Sequence, residues 1–253
     1  MRIKVIKIGG KLIENEKWLQ QLVEKVSLYY PHCILIHGGG SLAGRLAERL
    51  GIKTRMHEGR RITDEATLEV VVMAYAGWAN KKIVAALQAA GVNACGLSGC
   101  DMGIVQAHKR ETQDIDWGFA GDIDRVNVSG LQLLLEQRIM PVISPVTFAL
   151  SGQLLNTNAD SVASAVACAM GPCRETELVY CFDKPGVLAD VEDESSVIPE
   201  ITRPDYERLR AGGVIHSGML PKLENAFKTL EAGVKSVRLT HPGLLEGGTV
   251  IRL

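Results

Sequence analysis

The chain has 253 residues, 46% of them hydrophobic, enough to bury a sizeable core in one large domain or two lobes. A formal net charge of -1 and an aromatic content of 5% leave neither a basic footprint nor a stacking surface for nucleic acid. No run approaches the roughly 20 unbroken apolar residues of a membrane span, the strand pattern begins too early for a signal peptide, and six cysteines without zinc-like pairs read as reduced thiols of a cytosolic protein.

The first predicted strand, 3–8, stops at Gly9-Gly10 with Lys7 beside the stop. A second at 33–37 stops the same way at Gly38-Gly39-Gly40, and a helical pattern follows each, over 15–29 and 41–50. Glycine lets the backbone approach a ligand closely, and the N–H groups at a helix start point at anions. Either turn alone is equally a tight strand-to-helix connection; the pair with a lysine predicts a phosphate cradle built from neighbouring strands. Residues 53–63 fit neither period and read as a hairpin or extended arm of the kind that covers a substrate. They include Gly59-Arg60-Arg61-Ile62-Thr63, where a guanidinium fork matches a carboxylate, unless both arginines are simply solvated.

A long helical pattern over 64–90 leads to a strand at 92–97. A second irregular arm follows at 104–126, then a helix at 129–138 and a strand at 140–144. Asn156-Thr157-Asn158-Ala159-Asp160 precedes the helix 159–170. Asn158 is a natural N-cap and Asp160 suits the helix dipole. Alternation along an extended segment would also turn Asn156, Asn158 and Asp160 toward one cleft. The best boundary is Gly171-Pro172-Cys173. Beyond it come a strand at 177–182, a polar loop over 190–204, helices at 204–211 and 218–232, and a strand at 235–240. Pro221 fits a first helical turn, whereas Lys222 opposes the dipole there and is better placed facing an anion. The alternation predicts an α/β class: a three-layer αβα sandwich with a mainly parallel central sheet, whose lobes, 1–171 and 172–253, share one sheet.

Eight stretches run in order along nearly the whole chain: Lys7-Ile8-Gly9-Gly10, His37-Gly38-Gly39-Gly40, Gly59-Arg60-Arg61-Ile62-Thr63, Ala79-Asn80-Lys81, Gly96-Leu97-Ser98-Gly99, Asn156-Thr157-Asn158-Ala159-Asp160, Asp183-Lys184-Pro185-Gly186-Val187-Leu188, and Gly218-Met219-Leu220-Pro221-Lys222. Together they resemble the amino-acid kinase family, and within it the branch acting on N-acylated glutamate. The resemblance implies the fold of the acetylglutamate and carbamate kinases. It also implies transfer of the ATP γ-phosphoryl to the side-chain carboxylate of N-acetyl-glutamate, a step of arginine biosynthesis. That carboxylate is already ionised, so catalysis falls to alignment and charge stabilisation.

By motif match, Lys7 and Lys222 hold the migrating phosphoryl, Asp160 positions both, and Gly10 and Gly39 donate backbone N–H groups to it. Gly39, Gly40, Arg61, Asn156 and Asn158 fall on acceptor-binding positions, with Arg61 on the α-carboxylate. Lys7, Gly9, Gly10, Asp183, Gly186, Val187, Leu188, Gly218, Met219 and Lys222 fall on ATP-binding positions. The resemblance thus assigns acceptor binding and dimerisation to 1–171 and ATP to 172–253. Mg²⁺ would be held mainly by the nucleotide, with no metal site on the protein. It further implies a cytoplasmic homodimer without nucleic-acid or membrane partners, and insensitivity to arginine, since inhibited relatives carry a helix before the first strand.

Three departures stand out. Arg60 occupies a position usually apolar and close to the acyl group: it binds a second carboxylate, making N-succinyl-glutamate the acceptor, or it turns outward. Lys184-Pro185 and Cys100-Asp101-Met102 depart from the usual nucleotide loop and lysine-aspartate-glycine run. A reading from another class is a non-catalytic nucleotide-binding storage or regulatory protein of this fold; retention of Lys7, Asp160 and Lys222 argues against it.

Overall fold

Strand β1 (Ile3–Ile8) buries Ile3 and Val5 on one face and Ile6 and Ile8 on the other, each at 3% exposure or less. A strand that is apolar on both faces belongs inside a sheet covered by two layers. The computed structural model, which describes residues 2–112, 114–215 and 219–253, has that arrangement.

The strands that follow are β2 (Cys33–His37), β3 (Arg55–His57), β4 (Arg60–Ile62), β5 (Ala94–Leu97), β6 (Val105–Lys109), β7 (Gly121–Val126) and β8 (Met140–Ile143). After them come β9 (Val146–Phe148), β10 (Leu154–Asn156), β11 (Thr176–Cys181), β12 (Glu200–Ile201), β13 (Ser236–Thr240) and β14 (Thr249–Ile251). The main sheet has the order β12-β14-β13-β11-β1-β2-β8-β5. It is parallel apart from the β13–β14 junction. Because β1 pairs directly with both β2 and β11, the sheet runs without a break across the expected boundary near Gly171.

The helices are α1 (Gly10–Glu14), α2 (Glu16–Ser27), α3 (Gly40–Arg49), α4 (Glu65–Val72), α5 (Asn80–Ala89), α6 (Val128–Glu136), α7 (Ala159–Met170), α8 (Arg203–Ala211) and α9 (Leu220–Glu231). Val5, Ile34, Ile36, Leu178 and Val237 pack against Val162 and Val166 of α7 and Phe227 and Leu230 of α9. Ile6, Ile8, Leu35, Val142 and Val179 pack against Leu22 and Val26 of α2 and Ile83 and Leu87 of α5. The period of two along each strand thus assigns alternate side chains to two helical layers, and the αβα sandwich results. Between α4 and α5 the residues Met73–Ala79 are π-helical, and the helical rod is continuous from Glu65 to Ala89. The rod is long and apolar enough to cross a membrane by length and composition, but Val70, Val71, Ala74, Tyr75, Ile83 and Leu87 are buried in the interior.

Both irregular arms are hairpins. β3 and β4 pair antiparallel, as do β6 and β7, the latter with an irregularity between Gln106 and Ala107. The second arm joins β9 and β10 in a four-stranded sheet, order β10-β9-β6-β7, which the sequence pattern did not reveal. Thr63 links the two arms, donating its N–H to the Trp117 carbonyl and accepting from the Phe119 N–H. Gly118 sits at φ +63°, and a Cβ there would lie 2.1 Å from the Thr63 oxygen, so the junction admits only glycine.

Candidate active site

β1 and β2 are parallel neighbours, so their glycine stops emerge side by side at the carboxyl edge of the sheet, where ligands of open α/β folds gather. The Gly38 N–H donates to the Ile8 carbonyl at 2.9 Å and stitches the loops together. A methyl on Gly10 would stand 3.1 Å from Gly39 Cα, and one on Gly39 would stand 2.5 Å from the Tyr75 ring. The cradle is therefore backbone, closed from behind by an aromatic side chain.

Lys7 shares the face of β1 that packs on α7, and its Nζ lies 2.7 Å from the Asp160 carboxylate in the first turn of that helix. Asn158 caps α7, its Oδ1 accepting from the N–H groups of Asp160 (2.8 Å) and Ser161 (3.1 Å). Burial pushes the Asp160 carboxyl up, but Lys7 and Lys222 outweigh it and hold the carboxyl below its ordinary range. Lys222 comes from the first turn of α9. One ammonium group is thus paired to the carboxylate, and a second, from the far end of the chain, stands on the same cavity wall and acts on it through its charge.

Three cavities meet around this group. The first, of about 240 Å³, is lined by Lys7, Gly9, Gly10, Gly39, Gly40, Arg60, Arg61, Asn156 and Asn158. The second, of about 480 Å³, lies between α7 and α9 and includes Arg60, Asn158, Asp160, Lys222 and Lys228. The third, of about 220 Å³, is lined by Asp183, Gly186, Val187, Leu188, Met219 and Lys222. Lys222 faces both the second and the third cavities, while Arg60 and Asn158 face both the first and the second. Of the residues assigned to catalysis, acceptor binding or ATP binding, Gly218 lies outside the described residues; the others all fall on these walls.

Arg61 donates to the Gly40 carbonyl at 3.0 Å, and its Nη1 is buried with no acceptor among the described residues. A buried guanidinium nitrogen without an acceptor is costly unless an anion completes it. Asn156 donates to the Thr63 hydroxyl at 2.9 Å, which anchors the first cavity to the arms. Tyr75, Arg110 and Trp117 also line that cavity and carried no motif in the sequence. Arg110 is paired to Asp122 and lies over the Trp117 ring, and His57 meets the same ring edge-on at 5.7 Å. Only the crossing of the two arms brings them there; the one local signal was an aromatic residue beside a glycine in an otherwise aperiodic stretch.

A sequence model of the amino acid kinase family matches residues 2–241. The chain belongs to the amino acid kinase family. Among curated relatives in this family, acetylglutamate kinase from Phocaeicola vulgatus is 48% identical over 253 residues, 99% of this chain and 98% of that protein. Acetylglutamate kinase from Methanopyrus kandleri is 39% identical over 256 residues, 99% of this chain and 100% of that protein. Among solved structures, a Streptococcus mutans protein superposes with a TM-score of 0.81 at 29% identity, covering 98% of both chains. N-acetylglutamate synthase from Neisseria gonorrhoeae shares the fold, with a TM-score of 0.83 at 22% identity over 99% of this chain and 59% of that one. Carbamate kinase from Giardia shares it too, at 0.71 and 12% over 98% of both. An amino acid kinase of this kind is an ATP-dependent phosphotransferase.

Proposed function

We propose that this amino acid kinase is an N-acetyl-L-glutamate kinase, transferring the γ-phosphoryl of ATP to the side-chain carboxylate to give an acyl phosphate. The observation that carries the reading is Lys7 paired to Asp160, with Lys222 on the same cavity wall as that carboxylate and a neighbouring cavity whose wall offers a buried guanidinium nitrogen. Full-length relatives of the same activity, at 39% to 48% identity, support it.

In this mechanism Arg61 holds the α-carboxylate of the acceptor, with Asn156, Asn158, Gly39 and Gly40 around the rest of it. The nucleotide occupies the cavity of Asp183, Gly186, Val187, Leu188 and Met219, its phosphates running past Lys222 toward Gly9 and Gly10. The acceptor carboxylate is ionised at neutral pH and attacks without a base. Charge developing on the three equatorial oxygens is met by Lys7 and Lys222 and by the N–H groups of Gly10 and Gly39. Asp160 keeps the ammonium groups in place between turnovers. Mg²⁺ is proposed to arrive on the ATP phosphates and neutralise part of their charge, as suits an ion that keeps most of its water. Asp160 and Asp122, the carboxylates that line the second cavity, already answer Lys7 and Arg110, which fits an ion held by the nucleotide. The 1–171 lobe then carries the acceptor and the 172–253 lobe the nucleotide. A cytoplasmic homodimer is part of the proposal, and the exposed Met73 and Trp78 on one helical rod offer it an apolar surface.

One observation favours a second reading of the acyl group. Arg60 lines the same cavity as Arg61, with Arg110 and Trp117 nearby, so further cations face the acceptor. A succinyl group would bring a second carboxylate to them. Coupled ADP release with N-acetyl-glutamate, N-succinyl-glutamate, glutamate, aspartate and carbamate tests both. Preference for acetyl, unchanged by Arg60→Leu, upholds the first. Preference for succinyl, lost in that variant, upholds the second; activity with none of the five refutes both.

A further inference from the structure

His37 is fully buried behind the second glycine loop and lines none of the three cavities. Its ring nitrogens have unequal partners. Nδ1 lies 2.9 Å from the Gly38 carbonyl oxygen, and Nε2 lies 3.1 Å from the Asn80 side-chain nitrogen. The Asn80 amide is itself oriented, its nitrogen donating to the Val142 carbonyl at 2.9 Å and its oxygen accepting from Lys81 at 3.1 Å. Asn80 therefore offers His37 a donor, and Nε2 must be the lone-pair nitrogen. The proton then resides on Nδ1, and it is donated to Gly38.

That bond has a consequence on the far side of the peptide. In a planar trans unit the C=O of one residue and the N–H of the next point in opposite directions. Pinning the Gly38 oxygen against the buried ring turns the Gly39 N–H away from that ring, and the Gly39 nitrogen lies beside Gly10, where a methyl would stand 3.2 Å from it. Both glycines line the first cavity. Lacking a Cβ on either side, the Gly38–Gly39 peptide has little of its own to prevent a flip, and a flipped peptide would present an oxygen to the phosphoryl group.

We propose that His37, held in its Nδ1–H tautomer by Asn80, is a positioning residue that locks the Gly38–Gly39 peptide with its N–H facing the transferring phosphoryl. The proposal rests on the kinase reading of the cleft. It assigns Asn80 and His37 no contact with substrate; they act through one backbone unit.

Nitrogen-15 NMR of the purified protein reads the tautomer directly, and a protonated Nδ1 with an unprotonated Nε2 is expected. His37→Phe keeps the ring and removes the donor. It should lower kcat by about 10²–10³-fold, the scale for one preorganised donor, with both KM values near wild type. Binding of ADP, aluminium fluoride and acceptor together should weaken by a similar factor while binding of ATP alone does not. His37→Asn, whose amide nitrogen takes the place of Nδ1, should recover most of the loss. An Nε2–H tautomer in the wild type, wild-type kcat in His37→Phe, or an Asn variant no better than Phe overturns the proposal. If His37→Phe does not fold, Asn80→Ala frees the tautomer with the histidine retained. A tautomer shift there with unchanged kcat overturns the proposal as well, and a shift with reduced kcat supports it. The wild type separates the two layers: if it turns over none of the five acceptors the kinase reading has failed, and if it does turn one over while His37→Phe keeps the same kcat, the lock alone has failed.

Discussion

Lys7 stands on the β1 face that packs on α7, because odd positions of the strand go to that layer, and Asp160 opens the facing helix. Removing Lys7 or Lys222 should lower kcat by about 10²–10³-fold for each alanine variant, read by coupled ADP release on protein whose thermal midpoint is little changed. His37 gives a second test at this scale. Burial drives its imidazole down to about 4, against the hydrogen bond to Gly38, with Lys81 adding to the decrease. From about pH 6.5 down to about 4, the unfolded chain takes up a proton at this position and the folded chain does not. Stability should therefore fall as pH is lowered through that window, by up to about 3 kcal/mol, and be level above it. Urea midpoints of wild type and His37→Asn between pH 4.5 and 7.5 check this, since the variant lacks the slope.

Among elements, α7 shows one residue serving local structure and site together. The cap made by Asn158 is what its sequence position predicts, and the same side chain lines two cavities. Asn158→Ala should cost about 1 kcal/mol, lower kcat by loosening the turn that carries Asp160, and raise the acceptor KM. Asn158→Ser should restore the thermal midpoint while the acceptor KM stays raised. The long strands and helices were legible because they are internally periodic. β9, β10, β12 and β14 have two or three residues each, too few for a period, and pairing with distant strands defines them. The π-helical stretch was equally hidden: Met73–Ala79 continues a helical pattern, and its effect, the Tyr75 ring against Gly39, exists only in three dimensions.

The whole molecule is organised by the sheet that crosses from β2 through β1 to β11. At its centre Glu177, fully buried, meets Lys4 at 2.6 Å, Arg238 at 3.1 Å and Arg2 at 3.4 Å. The register that aligns Lys4 with Glu177 pairs β1 directly with β11, so the cluster joins strands that precede and follow the turn at Gly171. Glu177→Ala leaves Lys4 and Arg238 without their buried counter-charge. It should destabilise the fold by about 3–5 kcal/mol, measured by urea unfolding, while kcat of the folded protein is retained, since the cluster lies away from the glycine loops.

Taken by itself, the sequence determined the layers, the strand-to-helix stops and the residues able to bind phosphate or carboxylate. Those follow from local period, turn chemistry and charge, and the chain carries them wherever it goes. The tertiary structure decided which of them meet. Lys222 joins Asp160 on one cavity wall only because α9 packs beside α7, and Tyr75, Arg110 and Trp117 reach the first cavity only through the π-helical turn and the crossed arms. Contacts between distant segments depend on how whole elements pack, and no local pattern encodes that.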